Sequence, residues 1–162
     1  MYKVVFDEII SILRDPVWSA PIKEIYMPQR AKFERYLQAV LAYRLKGKYS
    51  DTEIEFPLGD KHADIYSNGV FIELKTPNTN YRIDGVAEKT RPISDNIQGI
   101  IDDIDKLRKH DDKEGIVAFV MFPVKSDSNE HMQHIDKIKF HLGNDHFLQT
   151  TIDNMLVFSC KV

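Results

Sequence analysis

Three charged residues that lie close together in the sequence have the types that metal-dependent chemistry requires: Asp64, Glu73 and Lys75. Carboxylate oxygens such as those of Asp64 and Glu73 are the ligands that Mg²⁺ and Mn²⁺ prefer, and the backbone carbonyl of Leu74 can supply a third oxygen. An adjacent lysine can orient or deprotonate an attacking water, or stabilise negative charge as it develops. The spacing therefore predicts a divalent-metal site with a lysine beside it.

These three residues belong to a segment that has the pattern of a β-hairpin. Asn68-Gly69 is the turn, because this pair tolerates the positive φ angles that tight turns require. Side chains alternate across a strand, so Glu73 and Lys75 share one face of the second strand. A charged pair on one face of an otherwise apolar strand is costly to bury, which favours a functional role.

The arrangement D-x8-E-x-K formed by Asp64, Glu73 and Lys75 resembles the active site of the PD-(D/E)xK nuclease superfamily. Ala63 stands where the literal motif has proline. Two flanking residues extend the resemblance from about residue 30 to about residue 122. Glu34 lies on a predicted helix before the hairpin, where the family has an accessory acidic residue, and Gln98 lies on a predicted helix after it, where many members have a glutamine.

The resemblance implies an α/β fold, namely a three-layer sandwich with a central mixed sheet of the restriction-endonuclease-like type. It also implies a Mg²⁺-dependent (or Mn²⁺-dependent) endonuclease that hydrolyses phosphodiester bonds in DNA. Asp64 and Glu73 would bind the metal with the Leu74 carbonyl, Lys75 would assist the attacking water, and Glu34 and Gln98 would help to place the metal and its waters. Either a homodimer or an assembly with other subunits of a nuclease system is compatible with so short a chain.

Three other interpretations stay open at this point. A Glu-x-Lys pair in a strand is often only the solvated face of an antiparallel sheet. The chain could also be a non-catalytic module that binds nucleic acid or protein on the same fold, or a regulator that binds a small molecule or nucleotide. The last has no support from a glycine-rich phosphate loop of the G-x-x-x-x-G-K type.

Length and composition set limits on the class of protein. The 162 residues, 43% of them hydrophobic, predict one nuclease-like domain over 1–162. The net charge of −3 shows no basic excess, which counts mildly against nucleic-acid binding. A single cysteine, Cys160, excludes an intramolecular disulfide, and no apolar run approaches a membrane span. We expect a cytoplasmic protein that has no membrane partner.

Hydrophobic periodicity predicts an alternation of helices and strands. Residues 16–29, with three prolines, have the pattern of a loop, and Ser94-Asp95 that of a helix cap. The elements are predicted as helices over residues 3–14, 29–46, about 96–109 and 129–142, and strands over residues 52–57, 115–122 and 155–161 in addition to the hairpin.

Residues 77–92 form a predicted loop that leaves the site directly after Lys75. At about sixteen residues it is long for a compact domain, and loops of this length are often functional or mobile. Tyr81 could stack on a base, and Arg82, Lys89 and Arg91 could contact phosphates. DNA is therefore the predicted partner of this loop.

Two further groups of polar residues are predicted to have no catalytic role. The acidic cluster Asp102, Asp103 and Asp105 is typical of the solvated face of a helix. His131 and His134 are three residues apart, as zinc ligands often are, but the sequence offers no third ligand at a suitable spacing.

Overall fold

The computed structural model describes residues 1–88, 92–110, 113–125, 128–143 and 145–162. It confirms the prediction of an α/β fold with a mixed sheet. The helices are α1 (Tyr2–Arg14), α2 (Pro16–Pro21), a π-helix (Ile22–Tyr26), α3 (Glu34–Lys46), α4 (Ser94–Arg108) and α5 (Met132–Leu142), and the strands are β1 (Glu53–Leu58), β2 (Lys61–Ser67), β3 (Val70–Lys75), β4 (Glu114–Met121), β5 (Phe147–Ile152) and β6 (Met155–Lys161).

The six strands form one sheet in the order β1-β2-β3-β4-β6-β5. Among the strands of the described residues, only β3 and β4 pair in parallel, and they do so in the centre of the sheet, where Glu73 lies beside Val117. The other neighbours are antiparallel. The parallel pair needs a crossover, and this crossover contains α4.

Helices cover both faces of the sheet. Even-numbered residues of β4, such as Ala118, pack in a core with α1 and α3, and odd-numbered residues, such as Phe119, pack in a second core with α4 and α5. β3 alternates in the same way, because Ile72 and Leu74 belong to the first core and Phe71 to the second. This alternation turns the side chains of Glu73 and Lys75 toward α4.

The hairpin has the predicted form. β2 and β3 are joined by Asn68 and Gly69, with φ angles of 51° and 80°, in the left-handed region that this turn needs. Pairing between the two strands includes Ile65 opposite Ile72. The pairing ends there, and beyond it the Asp64 side chain accepts a hydrogen bond from the backbone N–H of Leu74, which holds Asp64 near Glu73 although the two are nine positions apart.

Three sequence-based predictions about elements are wrong. Residues 16–29 are mostly helical rather than a loop, because Asp15 caps α2 through its side chain and Pro16 occupies the first turn, where its missing N–H costs nothing. The helix predicted from residue 29 begins only at Glu34, since Arg30 has a φ of 51° and interrupts it. The third error is the omission of β5, whose polar residues mark it as an edge strand.

Candidate active site

Six charged residues from four elements meet where β2, β3, α3 and α4 approach one another. Four are carboxylates and two are lysines. We refer to them as the carboxylate–lysine cluster, which consists of Glu34, Asp64, Glu73, Lys75, Asp103 and Lys106.

β2 and β3 supply the centre of this cluster. The Asp64 carboxylate accepts a hydrogen bond from the backbone N–H of Leu74, with 2.7 Å between Oδ2 and N. In a strand, the N–H and C=O of one residue point toward the same neighbour, so the Leu74 carbonyl also faces the Asp64 side. Glu73 is only 2% exposed. The predicted pair Asp64 and Glu73 and the predicted Leu74 carbonyl therefore lie together.

Lys75 connects this centre to two helices. Its Nζ lies 3.2 Å from Asp103 Oδ2 on α4 and 3.9 Å from Glu34 Oε1 at the first residue of α3. The other Glu34 oxygen accepts a hydrogen bond from the backbone N–H of Thr76, at 3.3 Å. The structure thus brings Glu34 to the site, as its place on the edge of a buried stripe predicted.

α4 contributes two residues that sequence reasoning missed. Lys106 pairs with Glu73 and donates a hydrogen bond to the His62 carbonyl at 3.1 Å. Asp103 was predicted to lie on a solvated face, and this is wrong, because its side chain is 13% exposed and contacts Lys75. The signal was present in the spacing: Asp103 lies three residues after Ile100 and four before Leu107, both buried, and therefore on the edge of the buried stripe.

Gln98 is not among the residues that contact the cluster in the described part of the chain. It is exposed, and its side-chain amide donates a hydrogen bond to Asp102 at 2.9 Å, one turn along α4. The predicted cap from Ser94-Asp95 is also wrong, since both residues lie within α4 and Ile93 occupies the cap position without a side-chain hydrogen bond.

The predicted loop is anchored over its first five residues. Thr79 N–H donates to the Phe122 carbonyl at 2.8 Å, and the buried Arg30 guanidinium donates to the carbonyls of Thr79 and Tyr81 at 2.8 and 2.7 Å. Tyr81 is partly buried, whereas the Arg82 side chain is 83% exposed and pairs with Glu88. The predicted phosphate contacts Lys89 and Arg91 lie outside the described residues.

Burial dominates the electrostatics of the cluster. It raises the pKa of Glu73 to about 8, and the neighbouring Asp64 carboxylate adds to this effect. Burial likewise raises the pKa of Glu34 and that of Asp103, again with a contribution from Asp64. Without a bound cation, much of the Glu73 side chain is therefore protonated at neutral pH.

Lys75 shows the opposite balance. Burial alone would lower its pKa, but the carboxylates of Asp103, Glu34 and Asp64 outweigh burial and raise it. A lysine whose pKa is raised stays protonated at neutral pH and is a poor proton acceptor. Of the two roles predicted for Lys75, the structure therefore favours charge stabilisation and orientation over general-base catalysis.

The donor set fits a hard divalent cation. Fully ionised, four carboxylates exceed two lysines by two negative charges, the charge that Mg²⁺ carries. In addition, Glu73 Oε1 and Asp103 Oδ2 are buried oxygens whose partners are the ammonium groups of Lys106 and Lys75 and not backbone N–H groups. A cation held by these carboxylates would take the place of a lysine.

No group of three or more His, Cys, Asp or Glu side chains in the described residues is arranged to hold a metal ion. Glu73 and Lys75 are instead engaged in ion pairs with Lys106 and Asp103. A Mg²⁺ site needs only one or two carboxylates together with waters and substrate oxygens. The pair Asp64 and Glu73 with the Leu74 carbonyl meets that requirement.

A cavity of about 530 Å³ opens beside the cluster, between the β1–β2 turn and α4. Lys106 lines it, and the cavity therefore lies next to Glu73. Lys61, Lys109 and His110 also line it, together with the carboxylates of Asp60, Asp102 and Asp105. The wall of this cavity is therefore of mixed charge.

Comparisons with protein-family models, with curated proteins and with solved structures found no match to this chain. Among the described helices, none has the length and apolar character needed to cross a membrane.

Proposed function

We propose that this protein is a Mg²⁺-dependent nuclease that hydrolyses phosphodiester bonds in DNA, as an endonuclease with a restriction-endonuclease-like fold. The observation that carries the proposal is the convergence of Asp64, Glu73 and Lys75 with Glu34 and Asp103 where β2, β3, α3 and α4 approach one another. A cluster with two excess carboxylates is expensive to bury in a purely structural role.

The residues have distinct roles in this proposal. Asp64, Glu73 and the Leu74 carbonyl would hold Mg²⁺, which supplies Lewis-acid activation of the phosphate and of the attacking water. The protonated Lys75 ammonium stabilises negative charge as it develops on the phosphate oxygens. Asp103 and Glu34 keep this ammonium charged and in position.

Lys106 is proposed to exchange partners when the cation binds. If Glu73 held a cation, the Lys106 ammonium would lose its carboxylate partner. Lys106 lines the adjacent cavity, and its charge would then be available to a phosphate of the substrate. The ion pair between Lys106 and Glu73 would then be the arrangement of the metal-free site.

The first experiment is cleavage of plasmid and linear DNA in Mg²⁺, Mn²⁺ or EDTA. Wild type, Lys75→Ala and the control Lys23→Ala are compared, since Lys23 is an exposed lysine that pairs with Asp153. We expect metal-dependent cutting by wild type and Lys23→Ala and a loss of about a hundredfold or more in Lys75→Ala. Equal cutting by all three would contradict the proposal.

A non-catalytic module that binds nucleic acid or protein is the second candidate. It is favoured by the ion pairs of Glu73 with Lys106 and of Lys75 with Asp103, which engage the same groups that catalysis would need. If wild type cuts no substrate and calorimetry shows no Mn²⁺ binding, the enzyme is excluded and this candidate replaces it.

A further inference from the structure

The two edges of the six-stranded sheet differ in how their backbones are protected. At one edge, β1 carries Glu53, Glu55 and Pro57. Glu55 has a φ of 51° and stands outside the pairing with β2, which passes from Ile54 to Phe56. Charged residues, proline and bulges of this kind keep an edge strand from pairing with another chain. β1 is therefore a protected edge.

The opposite edge, β5, has none of these features. Its six residues, Phe147–Ile152, include no charged residue and no proline, and none of them has a positive φ. All six pair with β6, so the strand is regular over its whole length. Among the described strands, β6 is its only neighbour. An uncharged and regular edge of this kind is a template for a further strand.

The outward-facing backbone groups of β5 can be identified from its pairing with β6. The Lys161 N–H donates to the His146 carbonyl at 2.9 Å. Residues of an antiparallel strand alternate in the side to which their N–H and C=O point, so the even-numbered residues of β5 face β6. The odd-numbered residues Phe147, Gln149 and Thr151 direct theirs away from the sheet. Within the described part of the chain, these outward groups make no backbone hydrogen bond.

A second copy of β5 matches this row of donors and acceptors. In an antiparallel pair related by a two-fold axis at Gln149, each Gln149 lies opposite its own copy and Phe147 lies opposite Thr151. All three outward residues then exchange hydrogen bonds. Sliding one copy along the other leaves Phe147 or Thr151 without a partner in β5. The two-fold arrangement is also closed, since it uses the same edge of both copies.

The side chains agree with this register. Thr151 of one copy would lie beside Phe147 of the other, and aromatic and β-branched side chains form favourable cross-strand pairs. The Gln149 amides would lie side by side, and each can both donate and accept. Asp145 and Asp153 would meet beyond the strand ends, where Lys23, 3.2 Å from Asp153, offsets part of the charge.

We propose that the protein forms a homodimer in which β5 pairs with β5 of a second copy, so that the two six-stranded sheets become one continuous sheet. Open sheets with this many strands occur in α/β proteins. The pairing is independent of the proposed nuclease function, because β3, which carries Glu73 and Lys75, is three strands away from β5 in each copy.

The first test is the mass of the full chain in solution, measured by sedimentation equilibrium over a range of concentrations. Wild type should shift from 18.9 kDa to twice that mass as the concentration rises. Thr151→Pro removes one outward donor from each copy and should raise the dissociation constant of the dimer about tenfold or more. Thr151→Val keeps the N–H and should dimerise as wild type does.

The folding of the proline variant is checked by circular dichroism. Proline is tolerated on an edge strand where its missing N–H would face solvent, so Thr151→Pro should have the same spectrum as wild type. A wild type that stays monomeric at every concentration would overturn the proposal. So would a folded Thr151→Pro that dimerises as tightly as wild type, because the interface would then lie elsewhere.

A disulfide test fixes the register and does not depend on the proline variant. The Cα atoms of residues in a hydrogen-bonded antiparallel pair are about 5.5 Å apart, within reach of a disulfide. Gln149→Cys should therefore form a covalent dimer under mild oxidation. In Thr151→Cys, the new cysteines would be four residues apart along the strands, about 13 Å, and should not join. Cys160 is buried in all variants, and wild type measures the background. Crosslinking of Thr151→Cys without Gln149→Cys would overturn the proposed pairing.

Discussion

Two buried glutamates in this protein are each paired with a lysine, and they differ in the charge that surrounds them. Glu8 on α1 lies 2.5 Å from Arg44 and 2.5 Å from Lys48, so that one carboxylate meets two cations. Glu73 on β3 meets Lys106 but shares its surroundings with Asp64 and Asp103.

The consequence is visible in the pKa values. Burial would raise the pKa of Glu8, but its hydrogen bonds with Lys48 and Arg44 outweigh burial and lower it. The pKa of Glu73 is raised to about 8 by burial and by its acidic neighbours. The first arrangement satisfies its charge within the fold, whereas the second leaves negative charge that a bound cation would neutralise. A buried ion pair alone therefore does not distinguish a structural site from a functional one, and the charge balance around it does.

The largest expected difference between the two glutamates is in catalysis. Glu73→Gln removes a proposed metal ligand and should reduce Mg²⁺-dependent DNA cleavage about a hundredfold or more, while Glu8→Gln should leave the rate per folded molecule within about twofold. Initial rates on plasmid DNA, corrected for the folded fraction, measure this. Similar losses of cleavage rate in both variants would show that Glu73 has no catalytic role that Glu8 lacks.

Metal binding should divide the same two variants. At a Mn²⁺ concentration of a hundred times the dissociation constant, wild type and Glu8→Gln should each gain about 2.7 kcal/mol in the free energy of unfolding. Glu73→Gln should gain much less, because one carboxylate ligand is lost. Thermal melts with Mn²⁺ and with EDTA measure the gain, at about 3 °C for each kcal/mol in a chain of this length. A full gain in Glu73→Gln would place the cation elsewhere.

Stability without metal should show the reverse order. Glu8→Gln leaves two cations without their carboxylate and should lower the free energy of unfolding by about 2 kcal/mol, reduced from the value for fully buried pairs because Lys48 is half-exposed. Glu73→Gln replaces a partly protonated carboxyl by a neutral amide of similar shape and should be neutral or stabilising at pH 8. Urea unfolding in EDTA compares the two variants, and a greater loss in Glu73→Gln would contradict the expectation.

The pH dependence of stability follows from the signs of the two pKa shifts. Since the folded protein holds the Glu73 proton up to about pH 8 and the unfolded chain releases it near pH 4.5, stability in EDTA should fall as the pH rises from 5 to 8, by about 3 kcal/mol. Glu34 and Asp103 act in the same direction. The ionised Glu8 carboxylate stabilises the folded protein at pH values above its unfolded pKa. This contribution is lost only when the pH falls toward the lowered pKa of the folded state.

Melting temperatures between pH 4 and pH 9 test this difference. Glu73→Gln should flatten the decline between pH 5 and pH 8, whereas Glu8→Gln should alter the profile only at the acidic end. A decline of the same slope in Glu73→Gln and wild type would show that the carboxyl of Glu73 does not hold the proton.

The sequence predicted the hairpin part of the site and missed most of its surroundings. Asp64, Glu73 and Lys75 could be placed together because strand alternation and a short turn are local rules. Glu34 could be placed by helical spacing. The ion pair of Lys106 with Glu73 depends on how α4 crosses the sheet, and no local pattern specifies that crossing. The same limit explains why Gln98, chosen by resemblance, lies beside Asp102 rather than in the cluster.

Two neighbouring aspartates on α4, Asp102 and Asp103, provide the most sensitive test of whether the surrounding charge controls Lys75. Asp103 is 3.2 Å from Lys75 and supports the raised pKa of its ammonium, while Asp102 is exposed and accepts a hydrogen bond only from Gln98 among the described contacts. Asp103→Asn should lower the cleavage rate about tenfold, which is typical when a hydrogen-bonding partner of a catalytic group is removed. It should also shift the alkaline limb of the pH–rate profile to lower pH, because Lys75 then loses its proton more readily. Asp102→Asn, one residue away and identical in chemistry, should change neither. If the two variants behave alike, Asp103 only fills space beside Lys75, and the charge balance of the cluster does not govern its lysine.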